Sequence, residues 1–198
     1  MDTTFEGGFA NPVFDAQTSF RAIMDALANP GTPRKLAETA LAQGPLSAEL
    51  ASTLLTLSDA DTPIWLSESL RTADVEAFIA FHTGAPLTRD PGSATFAIAA
   101  AVDELPRLDQ FNLGTQEYPD RSTTIVLAVR SLAGGADRLL RGPGIKDHIH
   151  CSPAGLPADF ATQWGDNREL FPRGVDLLLV ADGNVMGLPR STRISEGH

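Results

Sequence analysis

Early in the chain, apolar residues recur at the three- and four-residue steps of a helix; later they gather into short unbroken runs. Val13, Ala16, Phe20, Ile23, Met24 and Leu27 predict a first helix that Asn11 caps, that carries Pro12 in its first turn and that Asn29-Pro30-Gly31 ends. Ser47 is placed to cap a second helix carrying Leu50, Leu54 and Leu57, and the polar Ser58-Asp59-Ala60-Asp61 separates it from a short strand over residues 62–66. Thr72 caps a third, with Val75, Phe78, Ile79 and His82 on one face and Gly84 where a left-handed terminal residue is wanted.

The later runs read as strands. Residues 95–101 form an alanine-rich candidate, while residues 123–129 and 175–180 are nearly continuous in apolar side chains, as expected where both faces of a strand are covered. A helix over about residues 158–170 precedes the last of these. Asp182-Gly183-Asn184 can turn that strand back into Val185-Met186-Gly187-Leu188 as an antiparallel hairpin. Gly- and Pro-rich stretches near residues 114–119 and 140–144 read as loops. The predicted class is α/β: a mixed, mostly parallel sheet flanked by helices, in one domain spanning residues 1–198 with an N-terminal arm over about 1–12.

Composition leaves that picture intact and removes several functions. A chain of 198 residues, 42% hydrophobic and 20% charged, has the usage of an ordinary globular protein. No stretch approaches the roughly 20 apolar residues of a membrane span. The acidic Met1-Asp2-Thr3-Thr4-Phe5-Glu6 lacks the basic and apolar regions of a signal peptide, and one cysteine, Cys151, forms no internal disulfide; the expectation is a cytoplasmic protein. The net charge of −10 lies in residues 1–117, which hold 16 acidic and 6 basic side chains; residues 118–198 hold 9 of each. That distribution excludes a general nucleic-acid surface, which needs a basic footprint.

Four segments, Phe81-His82-Thr83-Gly84, Gly142-Pro143-Gly144-Ile145, Phe171-Pro172-Arg173-Gly174-Val175-Asp176 and Leu188-Pro189-Arg190-Ser191-Thr192, are joined in order by Asn11-Pro12-Val13, Asp59-Ala60-Asp61-Thr62-Pro63 and Gly114-Thr115 with Tyr118-Pro119-Asp120-Arg121-Ser122. Each is common alone. In this order and spacing they resemble the PhnH family of carbon-phosphorus lyase subunits, over nearly the whole chain. The resemblance implies a fold similar to the large domain of pyridoxal-phosphate-dependent transferases without that cofactor. It also implies partners PhnG, PhnI and PhnJ in a core complex, a homodimer in isolation, and a supporting, mainly structural part in forming ribose 1-methylphosphonate 5-triphosphate from ATP and methylphosphonate. The residues agree that pyridoxal phosphate is not expected: its Schiff base needs a well-placed lysine, and the chain offers only Lys35, read as lying in the turn after the first helix, and Lys146, after a Gly-Pro-Gly loop. Whether the chain is itself catalytic stays open.

Among candidate site residues, Arg121, Arg173, Arg190 and Arg193 lie in or beside these segments. Guanidinium groups pair bidentately with phosphate or phosphonate oxygens, so a self-sufficient enzyme or binding protein with an arginine-lined pocket is the rival reading; ion pairs with Asp120 or Asp176, or contacts with a partner subunit, are the structural one. His82, near a helix C-terminus whose dipole favours the protonated ring, is a weak acid–base candidate against a structural histidine. His148, His150 and Cys151 carry metal-ligand chemistry, but no fourth ligand stands nearby in sequence, and an exposed loop is the plainer expectation. Gly142-Pro143-Gly144-Ile145 lacks the length and Lys-Ser/Thr ending of a P-loop and reads as a turn. Phe5, Phe9 and Phe14 read as packing an arm or stapling the first helix.

Overall fold

In a computed structural model that describes residues 7–41 and 44–197, the chain begins β1 (Gly8–Phe9), α1 (Pro12–Ala28), β2 (Arg34–Lys35), β3 (Thr39–Leu41), α2 (Ala48–Leu57), β4 (Ile64–Leu66), α3 (Ala73–His82), β5 (Leu87–Thr88) and β6 (Phe96–Ala99). It continues β7 (Thr124–Ala128), β8 (Arg138–Arg141), β9 (Ile149–Cys151), α4 (Phe160–Glu169), β10 (Asp176–Ala181), β11 (Asn184–Leu188) and β12 (Arg193–Glu196). Phe5 and the first half of the expected arm, residues 1–6, lie outside the described residues.

Two caps form as the sequence predicts. Ser47 Oγ accepts from Leu50 N and Thr72 Oγ1 from Val75 N, both at 3.3 Å. Gly84, at φ 68°, takes the left-handed conformation that ends α3. Asn11 departs from expectation: its side chain makes no cap, and its backbone N–H instead donates to Asp15 Oδ2 at 2.7 Å, placing a carboxylate in the first turn of α1.

A larger correction concerns which face of α1 is inside. Ser19, Ala22, Ile23 and Ala26 are buried, whereas Val13, Phe14, Phe20 and Met24 are exposed. The reason is the strand beneath. A Cβ on Gly187 of β11 would lie 2.6 Å from Ala26 O, so helix and strand approach too closely for any but small residues. Ile23 and Leu27 pack inward, and the other bulky side chains turn outward. Phe14 is therefore exposed, and Phe9 lies half-buried in β1, which pairs with β3 in a two-stranded ribbon.

The main sheet has the order β2-β11-β10-β7-β6-β4-β5. β11 runs against its two neighbours and the other pairings are parallel, so the class is mixed and mostly parallel as read. Asp182 and Gly183, at φ 52° and 73°, form the two-residue turn between β10 and β11 and match the right-handed twist of the hairpin. Along β10, Leu178 and Val180 pack towards α1, α2 and α3, and Leu177 and Leu179 towards α4. Burial on both faces explains the unbroken apolar runs, each such leucine contributing about 1.5–3 kcal/mol.

A three-stranded sheet of order β12-β8-β9 joins α4 on the second face, where Leu140 is buried and Ile149, Cys151 and Ile194 pack against it. This element was not anticipated. The residue 140–144 stretch begins within β8, and His148-Ile149-His150-Cys151 is not an exposed loop but largely β9. Lys35 likewise belongs to β2 rather than to a turn.

Candidate functional site

In open α/β sheets, ligands favour the carboxyl ends of the strands where strand order reverses. Here β4 has the next two main-sheet strands, β5 and β6, on opposite sides, so the crevice follows Leu66 and Ala99. It is stitched shut: Ser67 Oγ accepts from Ala100 N at 3.1 Å, and Glu104 Oε2 accepts from Ser69 N at 3.0 Å and Ser69 Oγ at 2.8 Å. Burial alone would raise the Glu104 pKa, but these donors outweigh it and hold the pKa below the ordinary carboxylate value. A carboxylate in that place repels a phosphate. A separate cavity of about 320 Å³ lies between α4 and the β6–β7 connection, lined by Leu108, Leu113 and Leu170 with Arg107, Gln163 and Asp166. Its arginine is already neutralised by Asp109 at 3.4 Å and Asp159 at 3.9 Å.

The motif residues meet at the opposite end of the sheet. Asp176 opens β10 and Arg190 lies two residues beyond β11. The Arg190 backbone N–H donates to Asp176 Oδ1 at 2.7 Å, its Nε to the same oxygen at 3.1 Å, and its Nη2 to Asp176 Oδ2. Its Nη1 donates to Pro119 O at 2.7 Å and to Pro172 O at 3.4 Å. The Phe171–Pro172 peptide bond is cis. One guanidinium thus binds three of the sequence segments to each other, with side-chain exposures of 14% for Arg190 and 20% for Asp176.

Around it several more side chains are spent on backbone, while Ser122 Oγ, Thr192 Oγ1 and Arg173 Nε are buried without a hydrogen-bond partner among the described residues. Asn167 donates to Val175 O at 3.0 Å and accepts from Val175 N at 2.8 Å; Trp164 Nε1 donates to Thr192 O at 2.9 Å; Thr123 Oγ1 donates to Ala94 O at 2.6 Å. Gly174 N donates to Leu113 O at 2.9 Å. Sequence reasoning missed Trp164, Asn167 and Arg168, whose only signal was polar side chains on the inward side of a short helix.

The other arginines are placed differently. Arg121 stacks over Tyr118 with 4.2 Å to the ring centroid, Arg193 is exposed on β12, and Arg173 is half-buried with Nε unpartnered among the described residues. Of the two acidic partners expected, Asp176 pairs with Arg190, and Asp120 forms no ion pair among the described residues.

His82 shares the inner face of α3 as read, between Phe78 and Phe81 at centroid distances of 4.4 and 4.9 Å. Its Nε2 is buried without a hydrogen-bond partner among the described residues, and a Cβ on Gly8 would lie 3.2 Å from the ring. Burial lowers its pKa, so desolvation prevails over the expected dipole effect and the neutral ring is favoured.

His148 and His150 lie 5.6 Å apart by ring centroids and are held by Asp147 at 3.2 Å and Asp137 at 2.8 Å. Cys151 packs inward with Ile149 instead, and burial pushes its thiol up to about 11. The three therefore do not converge. No group of three or more histidine, cysteine or acidic residues suited to a metal occurs among the described residues.

Fold and hub define a layered α/β protein whose signature residues build an architectural clamp at the amino ends of its strands. A family model described as a bacterial phosphonate metabolism protein (PhnH) matches residues 7–195. The chain belongs to the PhnH family. It is 47% identical over 190 residues, 96% of this chain and 95% of the other, to a Rhizobium meliloti (strain 1021) protein described as alpha-D-ribose 1-methylphosphonate 5-triphosphate synthase subunit PhnH. It is 28% identical over 182 residues, 90% and 85% of the two chains, to a Stutzerimonas stutzeri protein described as putative C-P lyase subunit protein HtxG.

Proposed function

We propose that this chain is a cytoplasmic subunit of a carbon-phosphorus lyase core complex with PhnG, PhnI and PhnJ. In this reading it supports formation of ribose 1-methylphosphonate 5-triphosphate from ATP and methylphosphonate by completing the assembly's shape rather than by holding the reacting groups. The carrying observation is the Arg190 hub: the family's signature side chain is consumed in internal bonds, at the end of the sheet away from the usual ligand crevice. The Rhizobium relative's description as a synthase subunit supports it.

The same reading makes the main sheet a relative of the pyridoxal-phosphate transferase large domain from which cofactor chemistry is gone, in one domain over the whole chain. Lysine placement supports this. Lys35 is exposed on the edge strand β2 beside Glu38 at 3.9 Å, and Lys146 is exposed after the 142–144 turn, so neither faces the β4–β6 crevice. A homodimer in isolation is supported by the outward face of α1. Val13, Phe20 and Met24 project from it at helical spacing, and exposed apolar side chains gathered on one face are of the kind that marks interfaces.

The test is growth on methylphosphonate of cells lacking their own PhnH-family protein, complemented with wild type and with Arg121→Ala, Arg173→Ala, Arg190→Ala and Arg193→Ala, alongside recovery of the complex. The scaffold reading expects growth to follow recovery in every variant. A variant that assembles normally and fails to support growth refutes it. Arg121 and Arg173, which have no carboxylate partner among the described residues, favour the rival arginine-lined site; heat on adding ATP or methylphosphonate to the isolated chain, lost in Arg121→Ala, would establish that rival.

A further inference from the structure

The Arg190 hub has two products at the surface. Because Nη1 donates to both Pro119 O and Pro172 O, the steps Tyr118–Pro119 and Phe171–Pro172 are neighbours although they lie far apart in sequence. Both aromatic rings stand in solvent, Tyr118 at 47% and Phe171 at 52% exposure. Each carries a guanidinium over its face: Arg121 at 4.2 Å from the Tyr118 centroid, Arg168 at 5.1 Å from that of Phe171. The Arg168 Nε is further fixed by Ser191 O at 3.3 Å.

We propose that these two aromatic–arginine stacks form a docking surface for an acidic segment of a partner subunit, an inference that rests on the subunit reading above. Tyrosine, phenylalanine and arginine are side chains over-represented where interfaces concentrate their binding energy. The rings have few torsions to lose, and the hub fixes their backbones before any partner arrives, so the entropic cost of ordering them on binding is small. Charge selects the occupant. Arg121, Arg168 and Arg173 have no carboxylate within ion-pairing distance among the described residues, whereas Arg190 in their midst is neutralised by Asp176. A stacked guanidinium keeps its edge N–H groups available, and a carboxylate meets that edge bidentately. A cavity of about 300 Å³ lined by Trp164, Arg168, Glu169 and Arg193 reaches one edge of the patch, but neither exposed ring lines it, and rings that stand in solvent suit a protein surface better than a small ligand, which favours concave sites.

The experiment is co-expression of the full chain with PhnG, PhnI and PhnJ, using wild type, Tyr118→Ala and Arg121→Glu, with affinity of the purified chain for the other three measured at about 0.05 and about 0.5 M NaCl. Melting curves of the isolated variants confirm that they fold. Tyr118→Ala and Arg121→Glu should each weaken assembly about 10- to 30-fold at low salt. Salt should weaken the wild type and act much less on Arg121→Glu. Assembly within about twofold of wild type for both variants overturns this surface while leaving the subunit reading intact. Failure of the wild type to assemble overturns both. Loss of homodimer with unchanged assembly assigns the patch to a second copy, and loss of ATP binding assigns it to a nucleotide; either result overturns the proposal.

Discussion

Replacing Arg190 by alanine removes a guanidinium that Asp176 and two proline carbonyls share. The Asp176 side chain, 20% exposed, is then left without counter-charge, and Pro172 O and Pro119 O lose their charged donor. Breaking a fully buried pair from one side costs about 3–5 kcal/mol. The residual exposure of both partners lets water reach the orphaned carboxylate and places the cost near the lower limit, about 3 kcal/mol. At about 2–4 °C per kcal/mol for a chain of this size, melting should fall by about 6–12 °C. Arg190→Lys keeps the charge but cannot span Asp176 and the carbonyls together, and should lose about 1–2 kcal/mol. Arg193→Ala, exposed on β12, should stay within about 0.5 kcal/mol of wild type. Urea titration with unchanged denaturant slope is the assay. An Arg190→Ala protein within about 1 kcal/mol of wild type would refute the clamp, and with it the structural explanation of the family signature.

Phe20→Asp on the outward face of α1 should leave melting nearly unchanged, since Phe20 is exposed, but should shift light scattering from dimer to monomer; a dimer that survives removes α1 from the interface. Cys151 should react slowly with a thiol reagent at pH 8 and rapidly once unfolded, because its folded pKa of about 11 leaves little thiolate. That raised pKa gives a stability contribution that is full below the ordinary thiol value of 9.0 and lost as pH rises from there towards about 11; a Cys151→Ser protein should lack this alkaline decline. His82 has the opposite sign: its folded pKa lies below 6.5, so its contribution is full above 6.5 and is lost as pH falls through the window below. Melting of His82→Phe should therefore be less sensitive to mild acid than wild type, and equal sensitivity would contradict burial of the neutral ring.

Much of the secondary structure is legible because local chemistry settles it. Ser47 and Thr72 cap the helices they precede, Asp182-Gly183 closes a hairpin, and the leucines of β10 form an unbroken run because helices cover both faces. The inner face of α1 was legible only in part from hydrophobicity. Ile23 and Leu27 face the core as the pattern predicts, but Val13, Phe14, Phe20 and Met24 point outward, and the buried stripe is completed by Ser19, Ala22 and Ala26, small residues matched to the absence of a side chain at Gly187 on a strand more than 150 residues away. The three-stranded sheet escaped for a similar reason. β8, β9 and β12 are short and polar in part, and β12 is distant in sequence from the other two, so pairing rather than propensity makes them strands.

The arginines show the same division. Family membership and the candidates Arg121, Arg173, Arg190 and Arg193 follow from the amino-acid order, since ordered motifs and guanidinium chemistry are properties of the chain alone. Only the tertiary structure decided that Arg190 is spent on Asp176, Pro119 and Pro172, and that Arg121 and Arg168 stand on exposed rings beside it. Arginine presents the same donors to a phosphate, a carboxylate or a carbonyl, so its role is fixed by whichever acceptor the folded chain brings within about 3 Å.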